Sequence, residues 1–204
     1  MQKACALLFI ILFMCLPLAL FAQEDGDPEI DDWEDYTTDL YSMGDQSVVI
    51  SLGVGFPLGF WNNGEKLESK IEPPIGGTGV LTYNYYLNHF FFLGGDLGLL
   101  FLPTIADHTV FLTTLGAKAG AQLVFGRFEF PAFITLGMTI QTYLDFGYFG
   151  MFAKAGVSAF FRITHEWSFG FTSHYSWYPQ WTNEPAKNVD GHFADIMISG
   201  RYHF

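Results

Sequence analysis

The chain has 204 residues, and 21 Asp and Glu against 9 Lys and Arg give it a formal net charge of −12. This acidic balance, with no basic patch, excludes a nucleic-acid-binding surface. The two cysteines, Cys5 and Cys15, lie near the N-terminus, so the rest of the chain has no disulfide framework, thiolate metal site or cysteine nucleophile.

Residues 1–22 have the layout of a secretory signal peptide. Lys3 precedes an apolar run over residues 4–20, and a small residue, Ala22, comes directly before Gln23. The exact cleavage site stays open, because the position three residues before the proposed cut is not small. A lipoprotein cut before Cys15 is disfavoured by the bulky residues ahead of it. The sequence therefore predicts export.

Residues 23–45 form an acidic segment with ten Asp and Glu and no Lys or Arg. Such a block repels itself, so we expect a flexible arm on the periplasmic side. The spacing of its acids does not fit a calcium-binding loop. Its apolar exceptions are Trp33, Tyr36, Leu40 and Tyr41. They leave open an arm that folds back over the mouth of a barrel or meets a periplasmic partner.

From residue 46 to 204, apolar and polar residues alternate with a period of two in eight successive segments. These cover residues 47–58, 75–85, 91–101, 109–124, 128–142, 148–163, 167–178 and 193–204. Each exceeds the roughly 9–11 residues that a tilted strand needs to cross a bilayer. A spanning sheet must close on itself, because lipid offers no partners to free backbone groups. The pattern predicts an all-β, closed, eight-stranded antiparallel up-and-down transmembrane barrel.

The connections and the aromatic residues support this prediction. Connections over 59–74, 103–108, 143–147 and 179–191 alternate with short turns at 87–89, 125–127 and 164–166, as expected for long outer loops and short periplasmic turns. Aromatic residues cluster near both ends of the strands, as in the two interfacial girdles of membrane barrels. Near the short turns they are Tyr83, Tyr85, Phe128, Phe130, Trp167, Phe169, Tyr202 and Phe204; near the other ends they are Phe56, Phe101, Phe111, Phe149, Tyr175 and Trp177. Pro131 interrupts one strand, where it predicts a β-bulge.

The polar faces of the strands would line the lumen. Their charged candidates are Asp96, Lys118, Glu129, Lys154, Arg162, His174, Asp195 and Arg201. Charges in a narrow lumen must pair, and Asp96–Lys118 and Glu129–Arg162 fall on adjacent strands, whereas Asp195 and Arg201 share the last one. Inward bulk is expected from Phe90, Phe92, Phe133, Phe152, Phe160 and Phe193. Two interpretations stay open: a lumen plugged by its own side chains, and a narrow path controlled by these charges.

The last strand, 193–204, alternates strictly and ends the chain on Tyr202 and Phe204. It resembles the closing strand of bacterial outer-membrane barrels, and the segment 47–204 resembles the small eight-stranded proteins of the OmpX, OmpA-barrel and OmpW kind. The resemblance implies an outer-membrane location, periplasmic termini, contact with outer-membrane lipid and recognition of Tyr202 and Phe204 by the barrel-assembly machinery. A relation to the OmpW kind would imply passage of small hydrophobic molecules into the membrane.

An enzymatic alternative comes from His174 and Ser176, a His-x-Ser pair similar to that of outer-membrane lipid A deacylases. The parity turns both side chains inward, and the candidate acids Glu184 and Asp190 lie in a loop. We therefore expect a non-catalytic protein without a cofactor or metal. Its predicted function is that of a narrow channel for small solutes, which include hydrophobic ones. The alternative is a plugged anchor whose loops 59–74 and 179–191 bind an extracellular ligand.

Overall fold

The computed structural model describes residues 41–62, 64–67, 75–103, 109–143, 146–181 and 188–204. The predicted signal peptide and nearly all of the acidic arm lie outside these residues. Nine strands are formed: β1 Gln46–Asn62, β2 Glu65–Leu67, β3 Gly76–Tyr86, β4 Phe91–Pro103, β5 Thr109–Phe125, β6 Phe128–Tyr143, β7 Phe146–Arg162, β8 Trp167–Gln180 and β9 Val189–His203. The described part of the chain holds no helix that is long and apolar enough to cross a membrane.

The eight long strands close into an antiparallel barrel. Each pairs with its neighbour in the chain, and β1 also pairs with β9, from Ser47↔His203 to Trp61↔Asp190. Backbone bonds between Gln46 and Phe204 extend this closing seam by one more pair, at 3.1 Å in both directions. The predicted fold class is confirmed. We call the end where β1 begins and β9 stops the terminal end, and the opposite end the loop end.

The alternation of the sequence sets the two faces of the wall, because successive strand residues point to opposite sides. The outward residues of β1, for example Ile50 and Leu52, are more than half exposed, whereas Val49 and Ser51 are buried inside. The same parity holds along β5, where Leu115 is outward and Thr114 inward. The outer wall is therefore an apolar surface, and most of the buried interior is polar.

The first predicted loop is partly a strand hairpin. β1 continues to Asn62 and pairs with β2, with Phe60 opposite Leu67. Against β9, its register shifts between Pro57 and Gly59. At the last connection, β8 reaches Gln180 and β9 begins at Val189. The strands therefore extend into the predicted loops 59–74 and 179–191, because polar residues beyond the girdle still pair along the neighbouring strand.

The prediction of a β-bulge at Pro131 is wrong. Pro131 pairs with Gln122 of β5 in an unbroken register. On its other side the β6–β7 ladder passes from Glu129↔Phe160 to Ala132↔Val157 without a shift, leaving out only two rungs. A proline removes one N–H donor. Here two pairs of the β6–β7 ladder are missing, but β6 carries no extra residue, so the strand has no bulge.

Candidate functional site in the barrel lumen

All eight predicted lumen charges are buried inside the barrel. They separate into two groups along its axis. The terminal cluster consists of Glu129, Arg162 and Arg201, and the middle cluster consists of Asp96, Lys118, Lys154, His174 and Asp195. Above the middle cluster, towards the loop end, the buried side chains form an apolar cluster. Each level therefore has its own chemistry.

In the terminal cluster, one carboxylate binds two guanidinium groups. Arg162 Nε donates to Glu129 Oε1 at 2.7 Å, and Arg201 Nη1 donates to Glu129 Oε2 at 2.7 Å. The Arg201 guanidinium also lies 3.9 Å from the centre of the Phe160 ring. Glu129 comes from β6, Arg162 from β7 and Arg201 from β9, so the cluster ties three strands together at the terminal end.

Tyr41, from the segment that precedes β1, completes the terminal cluster. Its hydroxyl oxygen accepts from Arg162 Nη2 at 2.6 Å and from Arg201 Nη1 at 3.1 Å. Its side chain is 3% exposed, and burial, as the largest cause, raises the pKa of this phenol well above its ordinary value. The phenol is therefore uncharged. The sequence marked Tyr41 as one of several residues able to dock but could not say where.

The middle cluster pairs charges across strands. Lys118 Nζ lies 3.4 Å from Asp96 Oδ1, and Asp96 also accepts from the hydroxyls of Thr82 and Thr135, at 2.6 and 2.8 Å. Lys154 Nζ donates to Thr114 at 3.2 Å. Hydrogen bonds of this kind satisfy charges that water does not reach.

His174 and Asp195 face each other on one rung of the β8–β9 ladder, with Nε2 of the imidazole 2.6 Å from Oδ2. The acid beside His174 is therefore Asp195, and not Glu184 or Asp190 as the enzymatic alternative required; Glu184 lies outside the described residues. Ser176 Oγ has no hydrogen-bond partner within the described segments. The imidazole therefore bonds to Asp195, and no hydrogen bond joins it to the hydroxyl of Ser176 within the described segments.

The loop end of the lumen is an apolar cup of about 450 Å³. Its apolar wall is formed by Phe60, Leu102, Val110, Leu112, Tyr178 and Phe193. The ring of Phe193 packs edge-on against Tyr178 and Phe60, with centroids 5.4 and 5.7 Å apart. The buried side chains of Leu100 and Phe152 belong to the same apolar cluster. Phe152 and Phe193 were predicted to point inward, but the leucines of this cluster were missed, although the continuous apolar run from Leu99 to Leu102 breaks the alternation and could have indicated them.

The cup also carries amide groups. Gln180 donates to the carbonyl oxygen of Gln141 across the cup. The Gln141 amide nitrogen, Nε2, has no hydrogen-bond partner among the residues that the structure describes. The cup therefore combines an apolar wall with a spare hydrogen-bond donor.

The β7–β8 ladder ends next to the cup, before the ends of the two strands. Their ladder runs from Arg162↔Ser168 and stops at Ala153↔Trp177, although β7 begins at Phe146 and β8 ends at Gln180. At the next position the rings of Phe152 and Tyr178 stack with centroids 6.0 Å apart. Pro179 removes one N–H donor at this place. We call this stretch the β7–β8 seam.

A side chain bridges the seam near its outer end. Tyr148 Oη accepts from the backbone N–H of Trp181 at 2.8 Å and donates to its carbonyl oxygen at 3.3 Å. Tyr148 and Gly147 also line the cup. The cup therefore extends to the seam, where one tyrosine joins the two strands.

The sequence also predicted where Phe90 and the aromatic residues at the C-terminus would lie. Phe90 is 45% exposed in the turn before β4, so the prediction that it fills the lumen is wrong; the chain is not yet alternating there. Tyr202 stacks with Phe204 at 6.0 Å and packs against Trp167 at 5.0 Å on the outer face of the terminal end. Within the described residues, no group of three or more His, Cys, Asp or Glu has the arrangement of a metal site.

Comparison with known proteins agrees with this architecture. A protein of Treponema pallidum (strain Nichols), described only as an uncharacterized protein, is 28% identical over 131 residues, which cover 64% of this chain. The match spans 60% of that relative's length, and 48% of the length of a second protein from the same organism.

Two solved structures share the fold at low sequence identity. Neisserial surface protein A superposes with a TM-score of 0.56 at 9% identity, covering 79% of this chain and 97% of that one. The outer membrane protein OprG from Pseudomonas aeruginosa superposes with a TM-score of 0.50 at 12% identity, covering 80% and 97%. A protein-family model that carries no functional description matches residues 24–202. The chain therefore belongs to the family that this model defines, and it has the fold of the small eight-stranded outer-membrane β-barrel proteins.

Proposed function

We propose that this protein is a non-catalytic outer-membrane barrel that takes up small hydrophobic molecules through its apolar cup. The loop end faces outwards and the termini face the periplasm. The observation that carries the proposal is the apolar wall of the cup, which lies at the loop end of the lumen, on the far side of the buried charges of the middle cluster. Its volume of about 450 Å³ falls within the range of small-molecule sites.

A water-filled path along the whole barrel does not fit the middle of the lumen. The cavity beside Asp96, Lys118 and His174 measures about 30 Å³. A cavity of this size holds on the order of one or two waters and no hydrated ion. Below it lie the buried ion pairs of the terminal cluster and the buried side chain of Tyr41. A solute that enters the cup therefore needs a route other than the barrel axis.

The β7–β8 seam supplies such a route. Its rungs end beside the cup, so a bound hydrophobic molecule can leave sideways towards the lipid without passing the ion pairs. No buried charge has to lose its partner during this step, which keeps its energetic cost low. This route agrees with the passage into the membrane implied by a resemblance to the OmpW kind.

Binding of a fluorescent apolar probe, 1-N-phenylnaphthylamine, to the refolded protein in detergent micelles tests the proposal. Leu112→Asn places an amide in the cup and is expected to weaken binding about tenfold, since losing burial of a leucine costs about 1.5–3 kcal/mol. Thr113→Asn changes the next residue on the opposite face and serves as the matched control. Equal binding by parent and Leu112→Asn would remove the cup from the function. Planar-bilayer recordings of the parent should show no discrete conductance steps.

A second candidate is a loop-end surface that binds an extracellular ligand. Lys66 Nζ lies 5.9 Å from the centre of the Trp61 ring. The same ring packs edge-on against the His192 ring, with centroids 4.5 Å apart. Partly exposed tryptophans can anchor a partner. Loss of cell or matrix binding by Trp61→Ala, with an unchanged probe affinity in the cup, would support this candidate.

A further inference from the structure

Residues 41–45, directly ahead of β1, fold back towards the barrel, so that the side chain of Tyr41 lies inside the lumen. Asp45 N donates to Ser42 O at 3.2 Å, and Ser42 N donates to the Asp45 carboxylate at 2.8 Å, which closes a tight turn. Gly44 N donates to Tyr86 O, and Tyr86 N donates to Asp45 O, at 3.0 and 2.9 Å. These bonds fix the turn to the last residue of β3. The turn points the preceding residue, Tyr41, back into the lumen.

Tyr41 adopts a backbone conformation that a tyrosine rarely takes. Its φ is +65°, in the left-handed region. This conformation is strained for an L-residue with a side chain, because its Cβ comes too close to the following carbonyl oxygen. Such strain persists only where the surrounding contacts hold the residue in place. The contacts of the side chain must therefore offset it.

Those contacts form a complete site for a phenol. Two guanidinium groups donate to the hydroxyl, and Arg162 also lies 5.2 Å from the ring centre. The ring packs on Tyr86 at 4.4 Å and on His203 at 5.6 Å. Arg201 Nη1 donates both to Tyr41 and to Glu129, so the phenol shares its donors with the ion pairs of the wall.

The site lies across the terminal mouth of the lumen. Its members come from β3, β7 and β9, which lie within the run of neighbouring strands β7–β8–β9–β1–β3. Tyr41 also belongs to one buried apolar cluster with Phe92 of β4 and Phe133 of β6, on the remaining side of the barrel. His203 in turn bonds to Ser168 of β8 at 3.0 Å. A side chain held by several sides of a barrel this narrow closes it.

We propose that Tyr41 is a removable stopper of the terminal mouth, held by the Arg162–Arg201 pair and carried on a turn outside the wall. The barrel wall closes without it, through the β1–β9 ladder that begins after the turn. Withdrawal of the turn therefore opens the mouth at the cost of its two backbone bonds to Tyr86, while the β1–β9 and β1–β3 ladders stay intact. Because the stopper belongs to the segment ahead of β1, anything that pulls on that segment controls access to the terminal cluster.

Cysteine labelling tests the stopper directly. Cys5 and Cys15 are first replaced by serine, and Ser168→Cys is the reporter beside His203. Ser176→Cys, fully buried towards the loop end, is the second reporter. Tyr41→Ala is expected to raise the labelling rate of the first reporter by a water-soluble maleimide at least about tenfold, since it loses two bonds to charged groups. The second reporter should stay protected.

Two further variants separate the ring from the hydroxyl and from the turn. Tyr41→Phe keeps the ring and loses the accepting oxygen, so its labelling rate should lie between those of the parent and Tyr41→Ala. Met43→Ala changes an exposed residue of the same turn and should leave the rate unchanged. An unchanged rate at Ser168→Cys in a Tyr41→Ala barrel that still shows heat-modifiable migration overturns the proposal. Equal acceleration at both reporters also overturns it, because the barrel would then have loosened as a whole.

Discussion

His174 Nε2 lies 2.6 Å from Asp195 Oδ2, directly across the β8–β9 ladder and inside the barrel wall. Both side chains are nearly free of solvent contact. The pair links the inward side chains of two neighbouring strands in the middle of the lumen, on the terminal side of the apolar cup.

Replacing His174 by alanine is expected to lower the free energy of unfolding by about 2–3 kcal/mol, because the buried Asp195 carboxylate loses a strong donor. Urea unfolding in detergent micelles measures this. Ser176→Ala is the matched control: its hydroxyl has no partner in the described segments, so its loss should cost less than about 1 kcal/mol. Comparable losses in the two variants would contradict a special role for the His174–Asp195 pair.

Glu129→Gln should be among the most destabilising single changes in the lumen. It leaves Arg162 and Arg201 buried without a counter-charge, and breaking a buried ion pair costs about 3–5 kcal/mol. The midpoint of urea unfolding should fall accordingly. Adding Arg201→Met to Glu129→Gln should recover part of the loss, since it removes one unpaired cation. Purely additive destabilisation would show that the three charges do not act as one cluster.

Tyr148→Phe removes the hydroxyl that bridges the β7–β8 seam. We expect a several-fold faster release of 1-N-phenylnaphthylamine, because a bridge of two hydrogen bonds is worth about 1–3 kcal/mol. Stopped-flow fluorescence follows the release. Tyr175→Phe, a girdle residue on the outer face, is the control. If both variants release the probe at the parental rate, the seam is not its exit.

Deletion of Phe204 should lower the amount of heat-modifiable, membrane-inserted protein in cells. Phe204 stacks on Tyr202 and closes the last backbone pair with Gln46, so the deletion removes both an outer aromatic and the end of the seam. Refolding in detergent, where no assembly machinery acts, should be affected less. Normal insertion in cells after the deletion would count against recognition of this residue by the machinery.

Much of the fold followed from the sequence because the alternation of apolar and polar residues is a local property. The parity of Ile50, Leu115 and Thr114 already separated the lipid-facing surface from the lumen. It failed where no alternation exists, at Phe90 in a turn. The sequence also failed at Pro131, because a proline within an alternating strand is equally consistent with a missing pair of the ladder and with a β-bulge.

The eight spanning strands, the aromatic girdles and the inward position of the charges could all be predicted from the sequence, because each depends on the alternation of residues within one segment of the chain. The partner of each buried side chain could not, because it lies on another strand. Strand register pairs Asp195 with His174, three strands place Glu129 between two arginines, and a turn returns Tyr41 to the lumen. The apolar cup and the β7–β8 seam were decided by the tertiary structure too, since each arises where residues from distant strands meet around a closed wall.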